Sequence, residues 1–275
     1  MYTDTPTQGE INIAVDESYW PIIEAELYAF HSFYKDAKVH AHYKSEGEAV
    51  RALINDSVRF AIISRDLTDN EKGFFERINL HPSILKIASD AVAVVVHPDN
   101  KDTLLTVKQL KKILLGDNSG IRVVFDSKSS GNARFMQEKV LGGLPFANNC
   151  SALNSNRAVL DYVAKNKDAM GLIGFNWISD ADDTLMQRFL GKIKVVALAA
   201  NDGAKALQDF YRPFQSSIQQ GTYPLSRDVY IVSREARAGL GTGFAAFIAG
   251  EKGQRIILKS GLLPATAPTR IININ

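Results

Sequence analysis

From Ile11 onward, two hydrophobic patterns take turns along the chain. In one, apolar and small residues alternate with polar ones or run together briefly, as in a half-buried or fully buried strand. In the other, apolar residues recur every three or four positions, as on one face of a helix. Ile11-Asn12-Ile13-Ala14-Val15 predicts the first strand, and Pro21 to Lys35, with Ile22, Ile23, Leu27, Phe30 and Phe33 at helical spacing and a proline in the first turn, predicts the first helix. Val39 to Tyr43 alternates again as a strand, Glu48 to Asp56 carries Val50, Leu53 and Ile54 on one helical face, and Phe60-Ala61-Ile62-Ile63 reads as a buried parallel strand. Thr68-x-x-Glu71 opens another helix as a capping box.

Ala91 to Val96 is the most continuous apolar run and is expected to be buried on both faces, ending at His97-Pro98-Asp99-Asn100. With Asp90 before it, this segment is the candidate for a crossing between two lobes, near Asp90 to Val96, with a second crossing expected near Arg227 to Val232. Leu110, Ile113 and Leu114 at helical spacing, the strand Val123-Val124-Phe125, the helix Ala133 to Leu141 and the strand Gly171 to Phe175 predict a second α/β unit. Val195 to Ala199 and Val229 to Val232 add strands, and a Gly-punctuated helix pair is predicted between Gly243 and Lys259. Strands alternating with helices mark an α/β protein built from parallel strand-helix-strand units. With 275 residues the chain has room for one large domain or two lobes.

Composition narrows the class. Hydrophobic residues at 45% and charged residues at 23% describe an ordinary globular protein rather than a disordered or fibrous one. The net charge of +2 comes from 32 basic and 30 acidic residues interspersed along the chain, so no single-sign field is available for a polyanion, and nucleic acid is not an expected partner. Cys150 is alone, which excludes an internal disulfide and suits a half-buried thiol. No apolar run approaches the roughly 18 residues needed to span a bilayer. The first ten residues are polar and strand-breaking, so the chain is expected to be a mature or truncated form whose export signal has been removed.

The recurring chemical feature is a strand that stops in a short hydroxyl- or Gly-containing loop and at once starts a helix. Four such loops occur: Asp16-Glu17-Ser18-Tyr19, Ser45-Glu46-Gly47-Glu48, Ser64-Arg65-Asp66 and Ser129-Ser130-Gly131-Asn132. A helix N-terminus exposes unpaired N–H groups and a partial positive charge, so each can hold a small anion without a metal. The last loop is the sharpest, because two hydroxyls can donate, Gly131 admits close approach, Asn132 can cap or donate, and Arg134 follows with a fixed cationic fork. Any one loop alone is equally a helix cap. Glu17 and Glu46 would repel an anion unless turned outward or paired with Arg65 or Arg134.

Other motifs carry less. Gly239-x-Gly241-x-Gly243 has Phe244 where the dinucleotide fingerprint continues and no clear strand before it. His40 and His42 share one strand face but bring no third ligand at metal-binding spacing, and no nucleophile-elbow pattern supports a hydrolase. No metal, cofactor or catalytic residue is expected. Trp20, Trp177, Tyr19 and Tyr223 are candidates for lining a cleft or the core, with Tyr19 the choice for the cleft.

These residues resemble the phosphate-binding proteins of ABC-type phosphate importers, a family of type II periplasmic binding folds. The resemblance runs over nearly the whole chain. It is carried by Ser18-Tyr19-Trp20-Pro21, Ala61 to Leu67, the valine-rich strand with Pro98-Asp99-Asn100, Leu105-Thr106-Val107-Lys108-Gln109-Leu110, Ser129 to Phe135, Gly171 to Phe175 and Tyr223-Pro224-Leu225-Ser226-Arg227. It implies two α/β lobes joined by two crossing segments, one lobe of residues 1–92 plus 228–275 and the other of 93–227, with the anion between them. Carried over, the ligand-binding positions are Ser18, Tyr19, Ser45, Ser64, Arg65, Asp126, Ser129, Ser130, Gly131, Asn132 and Arg134. The chain departs from the family pattern at Ser45-Glu46-Gly47-Glu48, where a Gly/Ser run is common, and at Asn132, where Thr is common. Some members also place an Asp after the third-loop Ser and an Arg four residues before the last-loop Ser, where this chain has Arg65 and Asp126. An exchange of charges would keep one cation and one carboxylate at the site, with Asp126 accepting the proton of P–OH and so rejecting sulfate.

The resemblance further implies a non-enzymatic monomer, inorganic phosphate as ligand, a membrane permease of an ABC importer as partner, and a periplasmic or outer-face location with a possible lipid anchor. Another tetrahedral oxyanion (sulfate, molybdate or arsenate), a phosphate sensor, and a metal-dependent phosphate-ester hydrolase are the alternatives.

Overall fold

The computed structural model describes residues 4–117, 120–180 and 182–266; Met1, Tyr2 and Thr3 of the polar N-terminal stretch lie outside them. The first series runs β1 (Gly9–Asp16), α1 (Trp20–Phe33), β2 (Ala37–Lys44), α2 (Glu46–Ile54), β3 (Phe60–Ile63), α3 (Asp69–Arg77). It leads into β4 (Ser83–Val96), β5 (Leu104–Thr106) and α4 (Val107–Leu114). The second series is β6 (Arg122–Phe125), α5 (Gly131–Lys139), β7 (Cys150–Ala152), α6 (Asn156–Val163), β8 (Ala169–Gly174), α7 (Thr184–Leu190), β9 (Lys194–Val195) and β10 (Ala197–Ala199). The chain closes with α8 (Gln215–Gln219), β11 (Ser226–Ser233), α9 (Leu240–Ala249), α10 (Glu251–Lys259) and β12 (Leu263–Pro264).

Local chemistry accounts for most of these elements. Pro21 sits in the first turn of α1, where its missing N–H costs nothing, and Ile22, Ile23, Leu27 and Phe30 are buried beneath it. Thr68 and Glu71 cap α3 reciprocally, as Thr106 and Gln109 cap α4. Residues Ala91 to Val96 of β4 are wholly enclosed, as an uninterrupted apolar run requires.

Strand β4 organises the molecule, because it belongs to two sheets in turn. Its first part, Ser83 to Ala91, pairs antiparallel with β11, and its second, Val92 to Val96, pairs antiparallel with β8. On one side the order is β2-β1-β3-β11-β4, with β1, β2 and β3 parallel; on the other it is β4-β8-β6-β7, with β6, β7 and β8 parallel. This is the architecture expected of two α/β lobes sharing a crossing strand.

The second crossing differs from expectation. Arg227 to Val232 lies inside the first sheet, with Arg227 opposite Asp90 and Val232 opposite Ile84. The chain therefore crosses just before Ser226, where Val92 N–H donates to Leu225 O at 3.0 Å and Tyr223 OH donates to Val92 O at 2.8 Å. Val195 to Ala199, read as one strand, is broken at Val196: β9 pairs with β4 while β10 leaves to pair with β5. The chain's only two tryptophans, Trp20 at the start of α1 and Trp177 beyond β8, stack at 5.4 Å between ring centroids and 22° between planes.

Candidate functional site

Parallel strands deliver their following loops to one edge of a sheet, which is where α/β proteins bind ligands. Here β1, β2 and β3 present Asp16 to Tyr19, Ser45 to Gly47 and Ser64 to Arg65, while β6, β7 and β8 present Asp126 to Asn132, Ser155 to Asn156 and Gly174 to Asn176. The two edges meet at Gly131, the first residue of α5. A Cβ there would lie 2.5 Å from Asp16 Oδ2, 2.6 Å from Ser64 Oγ and 2.9 Å from Glu46 Oε2, so any larger residue would push the loops apart. Four loops that sequence alone offers as separate anion cradles are thus brought to one point.

The donors at that point are held by the chain's own carboxylates. Glu46 Oε2 accepts from Ser64 N at 3.0 Å, Ser64 Oγ at 2.5 Å and Arg134 Nη2 at 3.3 Å, while Oε1 accepts from Arg134 Nε at 2.5 Å and Arg65 Nε at 3.3 Å. Asp16 Oδ2 accepts from the Gly131 N–H at the start of α5, 3.0 Å away, and Oδ1 accepts from Ser18 N. Glu17 accepts from the backbone N–H and Nδ2 of Asn156. Glu46 is therefore turned inward and paired with both arginines. Two further contacts close the rim: Gly47 N–H donates to Ser129 O at 3.0 Å and Ser129 Oγ donates to Ser45 Oγ at 2.8 Å.

Crowding of acids sets the electrostatics. Burial, reinforced by the charges of Glu46 and Asp126, pushes Asp16 up to about 7. Burial pushes Asp126 up to about 6 against the hydrogen bond it accepts from Ser130. Burial alone would raise Glu46 too, but Arg134, Ser64 and Arg65 together outweigh it and hold Glu46 below its usual range. The cleft keeps one strongly ionised carboxylate bound to two arginines beside others that share protons with water near neutrality.

The expected residues are distributed unevenly. Ser18, Ser64, Ser130, Gly131, Asn132 and Asp126 are buried where the loops meet, with Ser45 just beneath the rim. Arg134 reaches across from α5 to Glu46 and Ser64, steadied from behind by Glu138 at 2.6 Å. Arg65 makes a two-pronged pair with Glu71 at 2.7 and 2.8 Å, which turns it toward the start of α3. Asp126 accepts from Ser130 Oγ at 2.7 Å and Asn156 Nδ2 at 3.4 Å, so Arg65 and Asp126 each have separate partners.

Around Ser18 and Tyr19 lies a second group of polar atoms, to which Asp90, Asn176 and Arg227 bring side chains that the sequence did not assign to the site. Arg227 Nη2 donates to Asp90 Oδ2 at 3.0 Å, and both side chains are enclosed. Ser18 Oγ, Tyr19 OH, Arg227 Nε and Nη1, Asn132 Oδ1 and Asn176 Nδ2 are buried without a hydrogen-bond partner. Asp90 and Arg227 stand in the very segments read as motif and crossing, yet nothing in either segment says that they meet across the sheet. Asn156, which binds Glu17, Asn132, Asp126 and Gly174, was also missed; Ser155 before it is a further loop-to-helix cap that could have marked it.

Among the described residues no group of three or more His, Cys, Asp or Glu is arranged to hold a metal ion, and no helix is long and apolar enough to cross a membrane.

Residues 2–252 match the family model described as a PBP superfamily domain. Among curated proteins the chain is similar to the phosphate-binding protein PstS of Staphylococcus saprophyticus subsp. saprophyticus, 27% identical over 256 residues that make up 88% of this chain and 75% of the relative. Among solved structures it is similar to a putative phosphate ABC transporter substrate-binding protein with bound phosphate from Clostridium perfringens, at 23% identity and TM-score 0.77 over 94% of this chain and 100% of that one. It is also similar to an ABC-type phosphate transport receptor from Vibrio cholerae, at 24% identity and TM-score 0.66 over 92% and 99%. At these identities the structural likenesses speak to the fold.

Proposed function

The chain belongs to the PBP superfamily, and from that premise we propose that it is an extracytoplasmic binding protein that captures inorganic phosphate between its lobes. A membrane permease of an ABC importer then receives the phosphate. The observation that carries this reading is the meeting of helix-start loops from both sheets around Gly131, which brings the Gly131 N–H, the Ser64 hydroxyl and Arg134 together, held by Asp16 and Glu46. The names of the PstS relative and of the phosphate-bound neighbour point to the same anion. We divide the lobes where β4 changes partners, between Ala91 and Val92, and at the return crossing before Ser226. Closure by rotation about these two strands would exclude water and complete the donor set. Capture of this kind needs no covalent step, and the chain is taken to act as a lipid-anchored monomer in the periplasm or at the outer face of the membrane.

Asp126 is the acceptor proposed for the ligand's P–OH proton, as Arg65 and Asp126 stand in exchanged positions relative to some family members. Isothermal titration of the purified chain with phosphate, arsenate, sulfate and molybdate tests the reading. Phosphate and arsenate are expected to bind and the fully ionised anions to bind far more weakly. Preferential binding of sulfate or molybdate would reassign the ligand, and silence toward all four would overturn anion capture.

A further inference from the structure

We infer that Arg227 forms the floor of the anion site, donating to the ligand from Nε and Nη1 while Asp90 holds Nη2. The inference rests on the phosphate reading and adds a residue that the resemblance did not supply. Arginine carries five N–H groups and has no way to shed its charge in a protein. Arg227 is 1% exposed in its side chain, and of its three nitrogens one is bonded, at 3.0 Å to Asp90, while two have no partner. Buried donors are almost always satisfied, and a guanidinium placed only to neutralise Asp90 would be expected to meet it fork to fork.

The neighbours of Arg227 have the same deficit. Ser18 Oγ and Tyr19 OH, on the loop after β1, are also buried and unpartnered. The Arg227 guanidinium carbon lies 5.5 Å from the Tyr19 ring centroid. A Cβ on Gly174 would lie 3.0 Å from Ser18 Cβ and 3.5 Å from Arg227 Nη2, so the glycine lets the loop after β8 pack closely against both the hydroxyl loop and the cation. The other two arginines of the cleft are committed, Arg65 to Glu71 and Glu46, and Arg134 to Glu46, Ser64 and Glu138. Arg227 is thus the guanidinium with free donors at the base of the cleft. Its register opposite Asp90 places it in the first sheet, one residue from where β4 changes partners.

The test is calorimetric titration of phosphate into the parent chain, Arg227→Lys and the charge-free pair Asp90→Asn/Arg227→Gln. A second readout is the 15N-edited NMR resonance of Arg227 Nε–H, identified by its loss in Arg227→Lys. Both variants are expected to bind phosphate about 10- to 100-fold more weakly, the loss of charge-assisted hydrogen bonds to the ligand, and the Nε–H resonance is expected to move on phosphate addition. If both variants bind within about threefold of a phosphate-binding parent and the Nε–H resonance does not move, Arg227 only clasps the two strands. If the parent itself fails to bind, the phosphate reading falls and this inference with it, an outcome visible in the parent titration alone. Should the double variant not fold, Arg227→Lys decides, because it keeps a cation opposite Asp90.

Discussion

Replacing Glu46 by glutamine is expected to tighten phosphate binding while weakening the ligand-free fold. Glu46 accepts five hydrogen bonds from Ser64, Arg65 and Arg134, the donors that an anion in the cleft would seek. Two like charges about 5 Å apart repel by about 3 kcal/mol at an effective dielectric constant near 20. Removing one is therefore worth roughly 100-fold in affinity. The loss to the fold has a ceiling of about 3–5 kcal/mol, the usual result of breaking a buried ion pair. It should fall toward the lower end, since Arg134 keeps Glu138 and Arg65 keeps Glu71. Titration calorimetry on Glu46→Gln and the parent, with thermal unfolding with and without phosphate, measures both effects. A lower midpoint without phosphate, a larger rise on adding it and a smaller Kd are expected. If Glu46→Gln binds phosphate more weakly than the parent, Glu46 organises the arginines for the ligand and does not compete with it, and the reasoning fails.

Asp126→Asn is expected to bind phosphate about 10- to 100-fold more weakly and to gain sulfate, because an amide cannot accept the P–OH proton as an anion does. Since Asp126 titrates near 6, phosphate affinity of the parent should also decline as pH falls through that value; a flat profile, or unchanged selectivity in the variant, would count against the exchanged-charge idea. Glu26 makes the opposite prediction for stability. It is enclosed among Ile22, Ile23, Ile87, Val229 and Ile257, with Tyr19 as the other titratable side chain lining the same cavity, and burial pushes it up to about 8. The folded chain keeps this proton to higher pH than the unfolded one, so stability should fall as pH rises from the ordinary carboxylate range to about 8, by roughly 3–6 kcal/mol. Glu26→Gln should lack that portion of the decline in urea titrations at pH 5.5 and 8.5; Asp16, raised in the same direction, contributes to parent and variant alike. Equal pH slopes would refute the assignment.

Elements held by their own residues were the legible ones. Helices such as α1 and α3 announce themselves through apolar spacing, Pro21 and the Thr68–Glu71 box, and the enclosed part of β4 through its unbroken apolar run. Placement that depends on distant pairing was not legible. The break at Val196 follows from β10 pairing with β5, and the return crossing is fixed by the register of β11 against β4. The same division holds at the cleft. Hydroxyl loops at helix starts could be picked out singly, whereas the inward turn of Glu46 depends on Arg134, 88 residues away, and the Asp90–Arg227 pair on residues 137 apart. Opposite charges that far apart in sequence leave no local pattern; only the folded sheet brings them together.

The stacked tryptophans have a practical side. One indole comes from the helix after β1 and the other from the turn after β8, and Trp177 Nε1 donates to Glu17 O at 3.2 Å. Two chromophores this close couple their electronic transitions, so lobe rotation should alter the circular dichroism and emission of the pair. With no other tryptophan in the chain to dilute the signal, the pair would serve as an unlabelled optical gauge of the proposed closure. That gauge would let closure be timed in stopped flow without attaching a dye.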